Sequence, residues 1–238
     1  MILKGGINIC GVTVGVISLE SYFPKPEGHI KHPASFDFPV IYKTVEGATI
    51  ERLIRDRDPA LLAPFIEAAK ELEREGVKAI TGSCGFLALH QKEIAEAVDI
   101  PVFMSSLIQV PLVSRMIKPS QKVGVVVANS EALTDAHLSG VGIQDEPMVI
   151  AGMQDQPQFA EVILRGDSND LDMDKFETEL TTVVDKMLDE NPEVGAIVLE
   201  CTDLSHFAPA LYRKFGLPVF DLSSLTRMVA SAADRKIS

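Results

Sequence analysis

Short apolar runs rich in β-branched residues recur along the chain, separated by segments in which apolar positions have helical spacing. The runs are continuous rather than alternating, which is typical of parallel strands that are covered on both faces. They predict seven strands, at residues 11–19, 77–81, 100–104, 122–128, 148–151, 194–199 and 217–220.

Amphipathic helices are predicted between these strands. Asp58 has the residue type of an N-cap and Gly76 that of a helix stop, and Pro64 between them predicts a kink or a later start. Further helices are predicted at residues 87–98 and 174–188. The alternation of strands and helices indicates an α/β fold with doubly wound parallel sheets.

The segment of residues 20–43 breaks this pattern. It contains four prolines together with Gly28, His29 and His32, and it follows the first strand directly. Loops at the carboxyl ends of parallel strands are where ligands bind in such folds, and long loops are more often functional than neutral. We therefore expect this loop to border a binding site, with Glu20 as a candidate partner for a cationic group.

An internal repeat relates two parts of the chain. Residues 77–103 match residues 194–220 at a constant offset of 117, which pairs Cys84 with Cys201. Both copies consist of an apolar strand, the cysteine, a helical stretch and a second strand that contains Pro-Val-Phe. Such a repeat predicts two equivalent strand–turn–helix–strand units related by a pseudo-two-fold axis.

The repeat also predicts how the chain divides. We expect a first α/β half made of residues 1–108 plus a C-terminal segment of about 220–238, and a second α/β half made of residues 109–219. Each half places its cysteine just after a strand, at the start of a helix. The two thiols are therefore expected to face each other across a cleft between the halves.

A cysteine at a helix N-terminus has particular chemistry. The helix dipole and the free backbone N–H groups lower the thiol pKa, and the same N–H groups bind a carboxylate. Two such thiols on opposite sides of one carbon can remove a proton and return it from the other face. We predict Cys84 and Cys201 as the catalytic pair, whereas Cys10 has no counterpart and is expected in the core or at the surface.

The residues around this pair resemble a known superfamily. Gly82-Ser83-Cys84-Gly85-Phe86 and Leu199-Glu200-Cys201-Thr202-Asp203, each after an apolar strand, are similar to motifs of the aspartate/glutamate/hydantoin racemases, and the resemblance covers nearly the whole chain. It implies two pseudo-symmetric α/β halves, a cysteine acid/base pair at their interface, no cofactor, and a small-molecule carboxylate as substrate. It also implies a homo-oligomer.

The chain departs from amino-acid racemases after both cysteines. Those enzymes commonly have Cys-Asn-Thr and Cys-Thr-His, where this chain has Cys-Gly-Phe at residues 84–86 and Cys-Thr-Asp at residues 201–203. Together with the loop of residues 20–28, these differences resemble a divergent branch. Algal dimethylsulfoniopropionate lyases have a similar opening loop, and they use a cysteine base to eliminate across Cα–Cβ.

Three functions are therefore open. The first is a cofactor-independent racemase or epimerase of an amino acid or related small carboxylic acid. The second is a cysteine-dependent lyase or decarboxylase on the same scaffold, and the third is a non-catalytic small-molecule binding protein. In all three we expect substrate contacts from a set of residues near the motifs: Ser83, Gly85, Phe86, Asn129, Ser130, Thr202, Asp203, Glu20 and Tyr22, with His206 and Glu200 assisting.

Charge and composition bear on the partners, the location and the cofactors of the protein. With 34 acidic and 22 basic residues the formal net charge is −12, which argues against a nucleic-acid partner. More than half of the acidic residues lie between positions 131 and 203, so we expect the negative charge to be concentrated on the surface of this part of the chain. Residues 1–6 lack a signal-peptide pattern and no run is long enough to span a membrane, so we expect a cytoplasmic protein with reduced thiols. No nucleotide or metal motif is present.

Overall fold

The computed structural model describes residues 5–234. Residues 1–4, which entered the signal-peptide expectation, and residues 235–238, at the end of the predicted C-terminal segment, lie outside this part. Two four-stranded parallel sheets form the scaffold, and the predicted α/β class is confirmed. The strands are β1 (Val14–Glu20), β2 (Val40–Thr49), β3 (Ala79–Gly82), β4 (Val102–Phe103), β5 (Lys122–Val127), β6 (Met148–Gly152), β7 (Val194–Leu199) and β8 (Val219–Phe220). The two sheets have equivalent strand orders, β2-β1-β3-β4 and β6-β5-β7-β8.

All seven predicted strands are present, but β2 is an eighth that the pattern did not indicate. It is the edge strand of the first sheet, and only Val45 and Ala48 on it are fully buried. An edge strand of this kind needs no continuous apolar run, so its sequence resembles a loop. The predicted loop of residues 20–43 was therefore too long, because β1 includes Glu20 and β2 begins at Val40.

The helices lie in the gaps where the apolar spacing placed them. A 3₁₀ turn at Pro59–Leu61, capped by Asp58, precedes the helix Leu62–Glu75, so this α-helix begins later than predicted and Pro64 falls in its first turn. The predicted helix at residues 87–98 is a 3₁₀ helix, Gly85–His90, that continues into the α-helix Gln91–Glu96. The helices are α1 (Leu62–Glu75), α2 (Gln91–Glu96), α3 (Val110–Ser114), α4 (Asp135–Gly140), α5 (Pro157–Phe159), α6 (Met173–Glu190), α7 (Ala208–Phe215) and α8 (Leu222–Ala233).

Each sheet packs against a segment that follows the other sheet along the chain. Helix α8 follows the second sheet but packs on the first, where its Leu222 and Leu225 join Val14 and Ala79 in one buried cluster. In the same way the 3₁₀ helix Ser106–Gln109 follows the first sheet but contacts β7. This reciprocal exchange fixes the two halves relative to each other, and therefore fixes the space between their strand ends.

The loop of residues 21–39 crosses from the first half onto the second. The carbonyl of Gly28 accepts a hydrogen bond from Ser223 Oγ (2.8 Å), and that of Glu27 lies 2.6 Å from His206 Nδ1. Gly28 has a φ of 102° and lies against the backbone of His206, a place where a side chain would be strained. The loop therefore covers the junction of the two halves. Over residues 5–234, none of the helices has the length and apolar character needed to cross a lipid bilayer.

Candidate active site

Cys84 and Cys201 occupy equivalent places in the two halves. Cys84 follows β3 and Cys201 follows β7, and each is the extended residue that precedes a 3₁₀ helix. Because β3 and β7 hold the same position in their sheets, the pseudo-symmetry brings both thiols to the walls of one pocket. Cys10, without a counterpart in the repeat, is exposed elsewhere.

The pocket between the two thiols is small and largely enclosed. The centre of a water-sized sphere can occupy about 20 Å³ of it, which is room for about one water molecule. A larger ligand therefore requires the lining to open. Both halves and the loop of residues 21–39 contribute to this lining, which consists of Leu19, Ser21, Phe23, His29, Lys31, Ile50, Ile54, Ser83, Cys84, Phe86, Ala128, Ile163, Glu200, Cys201 and Asp203.

The electrostatic environment of the thiols differs from the one that the sequence suggested. Burial, and after it the charges of Glu200 and Asp203, raise the pKa of Cys84 and of Cys201 well above the ordinary value. Hydrogen bonds from the backbone N–H groups of Phe86 and Asp203 oppose this rise but do not reverse it. The expectation of thiolates stabilised by helix N-termini was wrong, because desolvation and two nearby carboxyl groups outweigh the dipole.

A chain of hydrogen bonds links Cys201 to the loop. Its thiol donates to Asp203 Oδ2 (3.5 Å between the heavy atoms), and Asp203 Oδ1 lies 2.8 Å from His29 Nε2. The Nδ1 atom of His29 accepts the backbone N–H of Lys31 at 2.8 Å. The proton of this imidazole is therefore assigned to Nε2, which donates it to Asp203. Asp203 is thus held as an acceptor for the Cys201 hydrogen.

Two lysines of the loop lie close to this chain. Lys31 lines the pocket, and its Nζ donates to Leu19 O (2.8 Å) and Ser21 Oγ (3.1 Å). Burial lowers the pKa of Lys31, and that of Lys25 falls to about 8 for the same main reason. The pocket therefore holds positive charge near the loop and negative charge at Asp203.

Glu200 and Ser83 are the residues that precede the two cysteines, and both are buried. Ser83 Oγ accepts the backbone N–H of Leu19 (2.9 Å), just as Glu200 Oε2 accepts that of Ala128 (3.2 Å). Burial raises the pKa of Glu200 to about 8, so this carboxyl group is neutral at pH 7.

The other residues singled out in the sequence are placed around the pocket rather than in its lining. Thr202 donates its hydroxyl to Ser83 O (2.8 Å) and so ties the two motifs together. Asn129 Oδ1 accepts two backbone N–H groups of the following turn, and Ser130 accepts from Gln154. The remaining ones lie further out: Glu20 at the end of β1, the largely exposed Tyr22, and His206, which binds the loop backbone.

Sequence reasoning found the motif residues but undervalued the loop. His29 was noted only as part of the Pro-rich loop, yet it is buried and paired with Asp203, whereas His32 is not part of the lining. Lys31 was missed altogether. Its only signal was its place in a Pro-rich segment after a strand, because a lysine in a loop is ordinarily solvated.

Gly85 has no room for a side chain. A Cβ at this position would overlap Glu200, both at its backbone carbonyl oxygen and at Oε1. We expect Gly85→Ala to lower the free energy of unfolding by about 1–3 kcal/mol, because rigid backbone has to shift. Urea denaturation measures this loss. Gly15→Ala is the matched control, since the nearest atoms to its Cβ belong to the Leu72 side chain rather than to backbone, and an equal or smaller loss for Gly85→Ala would contradict the prediction.

Comparison with curated proteins shows that the chain is similar in sequence to dimethylsulfoniopropionate lyases. It is 33% identical over 231 residues to dimethylsulfoniopropionate lyase 7 of Emiliania huxleyi, which covers 93% of this chain and 67% of that protein. It is 32% identical over 221 residues to a dimethylsulfoniopropionate lyase of Durusdinium sp. clade D, covering 90% of this chain and 72% of the relative. No family model matches the chain.

Solved structures with the same fold are more distant in sequence. Aspartate racemase of Picrophilus torridus superimposes with a TM-score of 0.60 at 16% identity, covering 96% of each chain. Allantoin racemase of Klebsiella pneumoniae gives 0.60 at 20% identity, covering 92% of this chain and 86% of the other. The chain thus has the fold of the aspartate, glutamate and allantoin racemases, and by its sequence it belongs to the family of the dimethylsulfoniopropionate lyases.

Proposed function

We propose that the protein is a lyase that eliminates a neutral sulfide from a small β-sulfonio carboxylate such as dimethylsulfoniopropionate. The observation that carries the proposal is the pocket that holds Cys84, Cys201 and Asp203, in a chain one-third identical to lyases of this name over nearly its whole length. A thiol base and a fixed carboxylate suit a substrate with an acidic α-proton and a cationic β-substituent.

The proposed elimination requires only one base. A Cys201 thiolate takes the proton from Cα, the Cα–Cβ double bond forms, and the Cβ–S bond breaks with its electron pair going to sulfur. The products are acrylate and dimethyl sulfide, and Cys201 is left as a thiol that returns its proton to water. Because the leaving group departs as a neutral sulfide, no general acid is needed.

Cys201 is the better candidate for the base. Both thiols accept a backbone N–H, but Cys201 also donates to the carboxylate of Asp203, which His29 holds in place. The resting pocket keeps both thiols protonated. A sulfonium cation close to Asp203 would offset the negative charge that raises the thiol pKa, so that the base forms when the substrate is bound.

The racemase or epimerase reaction is the second candidate, and one observation favours it. Cys84 and Cys201 line the same pocket from opposite halves, which is the arrangement that two-base proton exchange at one carbon requires. A decarboxylase would use one of these thiols to protonate a carbanion. A binding protein would use neither.

One incubation distinguishes these functions. The protein is mixed in D₂O with dimethylsulfoniopropionate, and separately with a panel of chiral amino acids and 2-substituted carboxylic acids, and NMR follows acrylate, α-deuterium and carboxylate loss. Headspace gas chromatography detects dimethyl sulfide. We expect equimolar acrylate and dimethyl sulfide from the first substrate only. Deuterium uptake with inversion in the panel, or ligand-induced thermal stabilisation without turnover, would overturn the lyase proposal.

A further inference from the structure

One of the two carboxyl oxygens of Glu200 makes no hydrogen bond within the described part of the chain. Its side chain is fully buried, and Oε2 accepts the Ala128 N–H, but Oε1 has no hydrogen-bond partner among residues 5–234. An unpartnered polar atom in a buried position is costly, because it has lost its hydrogen bonds to water without replacement. Glu200 also lines the pocket between the two thiols. Oε1 is shielded from solvent in the closed pocket, so a ligand that opens the lining would supply its missing partner.

The pseudo-symmetry shows that the backbone contact does not require a carboxyl group. In the first half, the equivalent residue Ser83 accepts the N–H of Leu19 at the end of the central strand with a single hydroxyl oxygen. Glu200 makes the same contact for the second half with one of its two oxygens. The additional oxygen is what distinguishes the two halves at this position.

The neighbouring motif leaves space for that oxygen. A Cβ on Gly85 would overlap Oε1 of Glu200, so the absence of a side chain there accommodates the carboxyl group beside Cys84. At the corresponding position of the second half the residue is Thr202, whose hydroxyl is used in a contact with Ser83 O. The first motif is thus adapted to receive the carboxyl of the second.

The charged and titratable groups around Glu200 come from three parts of the chain. Cys84 faces it from the first half, Cys201 and Asp203 lie on its own half, and His29 and Lys31 line the pocket from the loop. The pKa of Glu200 is raised to about 8, mainly by burial and to a smaller extent by Asp203, although the Ala128 N–H opposes the rise. Because Oε2 is occupied as an acceptor, the proton is carried by Oε1, and Oε1 is a hydrogen-bond donor at neutral pH.

We propose that Oε1 of Glu200 contacts the substrate directly and donates its hydrogen bond to the substrate carboxylate. A buried carboxylic acid in this form can hold a carboxylate and can stabilise the charge that grows on it as the α-proton leaves. No proton is transferred, so the acid is unchanged after the reaction. The identity of the substrate rests on the function proposed above, but carboxylate binding by Glu200 does not require turnover.

The experiment measures binding of acrylate by isothermal titration calorimetry between pH 6 and 9, in the wild type, Glu200→Gln and Glu200→Ser. In the wild type we expect affinity to fall above pH 8, by up to about tenfold per pH unit, as the acid ionises. Glu200→Gln keeps a donor that cannot ionise, so its affinity should stay within a few-fold and lose that pH dependence. Glu200→Ser, which copies Ser83, should bind about 10- to 100-fold more weakly than the wild type at pH 6–7, and this difference should shrink towards pH 9 as the wild-type acid ionises.

The Glu200→Gln variant also distinguishes ionisation of Glu200 from loss of charge on the lysines as the cause of the pH dependence. Lys25 has a pKa of about 8, so its loss of charge would weaken anion binding in the same range. If the pH dependence persists unchanged in Glu200→Gln, the lysines cause it and the proposal is overturned. If Glu200→Ser does not fold, the comparison of the wild type with Glu200→Gln decides alone.

The outcomes for Glu200 and for the lyase reaction are distinguishable. Acrylate binding that follows the Glu200 pattern without any turnover of dimethylsulfoniopropionate would support the carboxylate contact and refute the proposed function. Turnover of dimethylsulfoniopropionate, with acrylate binding that neither Glu200 substitution changes, would support the proposed function and refute the carboxylate contact.

Discussion

Replacing Cys201 by serine is expected to reduce turnover of dimethylsulfoniopropionate by about 10³- to 10⁴-fold, because general base catalysis contributes up to this factor and a hydroxyl is a far weaker base than a thiolate. The same replacement at Cys84 should reduce turnover much less, by about tenfold. Cys84 lines the pocket and shapes it, but an elimination that expels a neutral sulfide needs no second proton transfer. Initial rates of dimethyl sulfide release measure both effects.

The two cysteine variants also separate the lyase from the two-base reaction. Equal losses of 10³-fold or more at both positions would show that both thiols move protons, as racemisation requires. Cys10→Ser is the matched control, because Cys10 is exposed and lies outside the pocket, so its replacement should leave the rate unchanged. Retained activity in Cys201→Ser would remove Cys201 from the role of base.

The fold was predictable because the strongest signals in the sequence are the ones that set the topology. Continuous apolar runs fixed seven strands, and the 117-residue repeat indicated that they form two equivalent sheets. The edge strand β2 could not be found in this way, since its half-exposed residues carry no continuous run. The reciprocal packing of α8 on the first sheet depends on long-range contacts, and periodicity does not report those.

The candidate site was predictable where it follows directly from the repeat. The residues adjoining Cys84 and Cys201 were found because the motif places them next to the strand ends, and Ser83, Phe86, Glu200 and Asp203 do line the pocket. The environment of the thiols was not predictable. Helix position alone suggested stabilised thiolates, but the pKa depends on burial and on the carboxyl groups brought together by folding.

The residues after and before the cysteines show where the two halves have ceased to be equivalent. Ser83 corresponds to Glu200, Gly85 to Thr202 and Phe86 to Asp203. The first motif therefore contributes only uncharged side chains to the pocket, while the second contributes both carboxyl groups. A symmetric pair of thiols in an asymmetric field favours one thiol as base, which is what a single-base elimination uses.

Replacing Asp203 by asparagine should change thiol reactivity and turnover in opposite directions. Asp203 raises the pKa of both Cys84 and Cys201, so removing its charge lowers both, and each unit of decrease raises the thiolate fraction about tenfold. Alkylation of these thiols by iodoacetamide at pH 8 should accelerate. Turnover of the sulfonium substrate should nevertheless fall by about 100-fold, because the carboxylate that pairs with the cation is gone. Asparagine Oδ1 can still accept the His29 hydrogen bond, so the loop stays anchored.

Two controls make this comparison decisive. The measurements are made in a Cys10→Ser background, so that alkylation reports the pocket thiols, and Asp167→Asn removes an equal charge from an exposed pair with Arg165. The Asp167 variant should change neither quantity. If Asp203→Asn raised both alkylation and turnover, Asp203 would act only by suppressing the thiolate and would have no part in binding a cation. Faster alkylation with slower turnover would instead mean that Asp203 has two effects. Its charge keeps the Cys201 thiol protonated in the empty pocket, and a bound cationic substrate offsets that charge so that the thiolate can form.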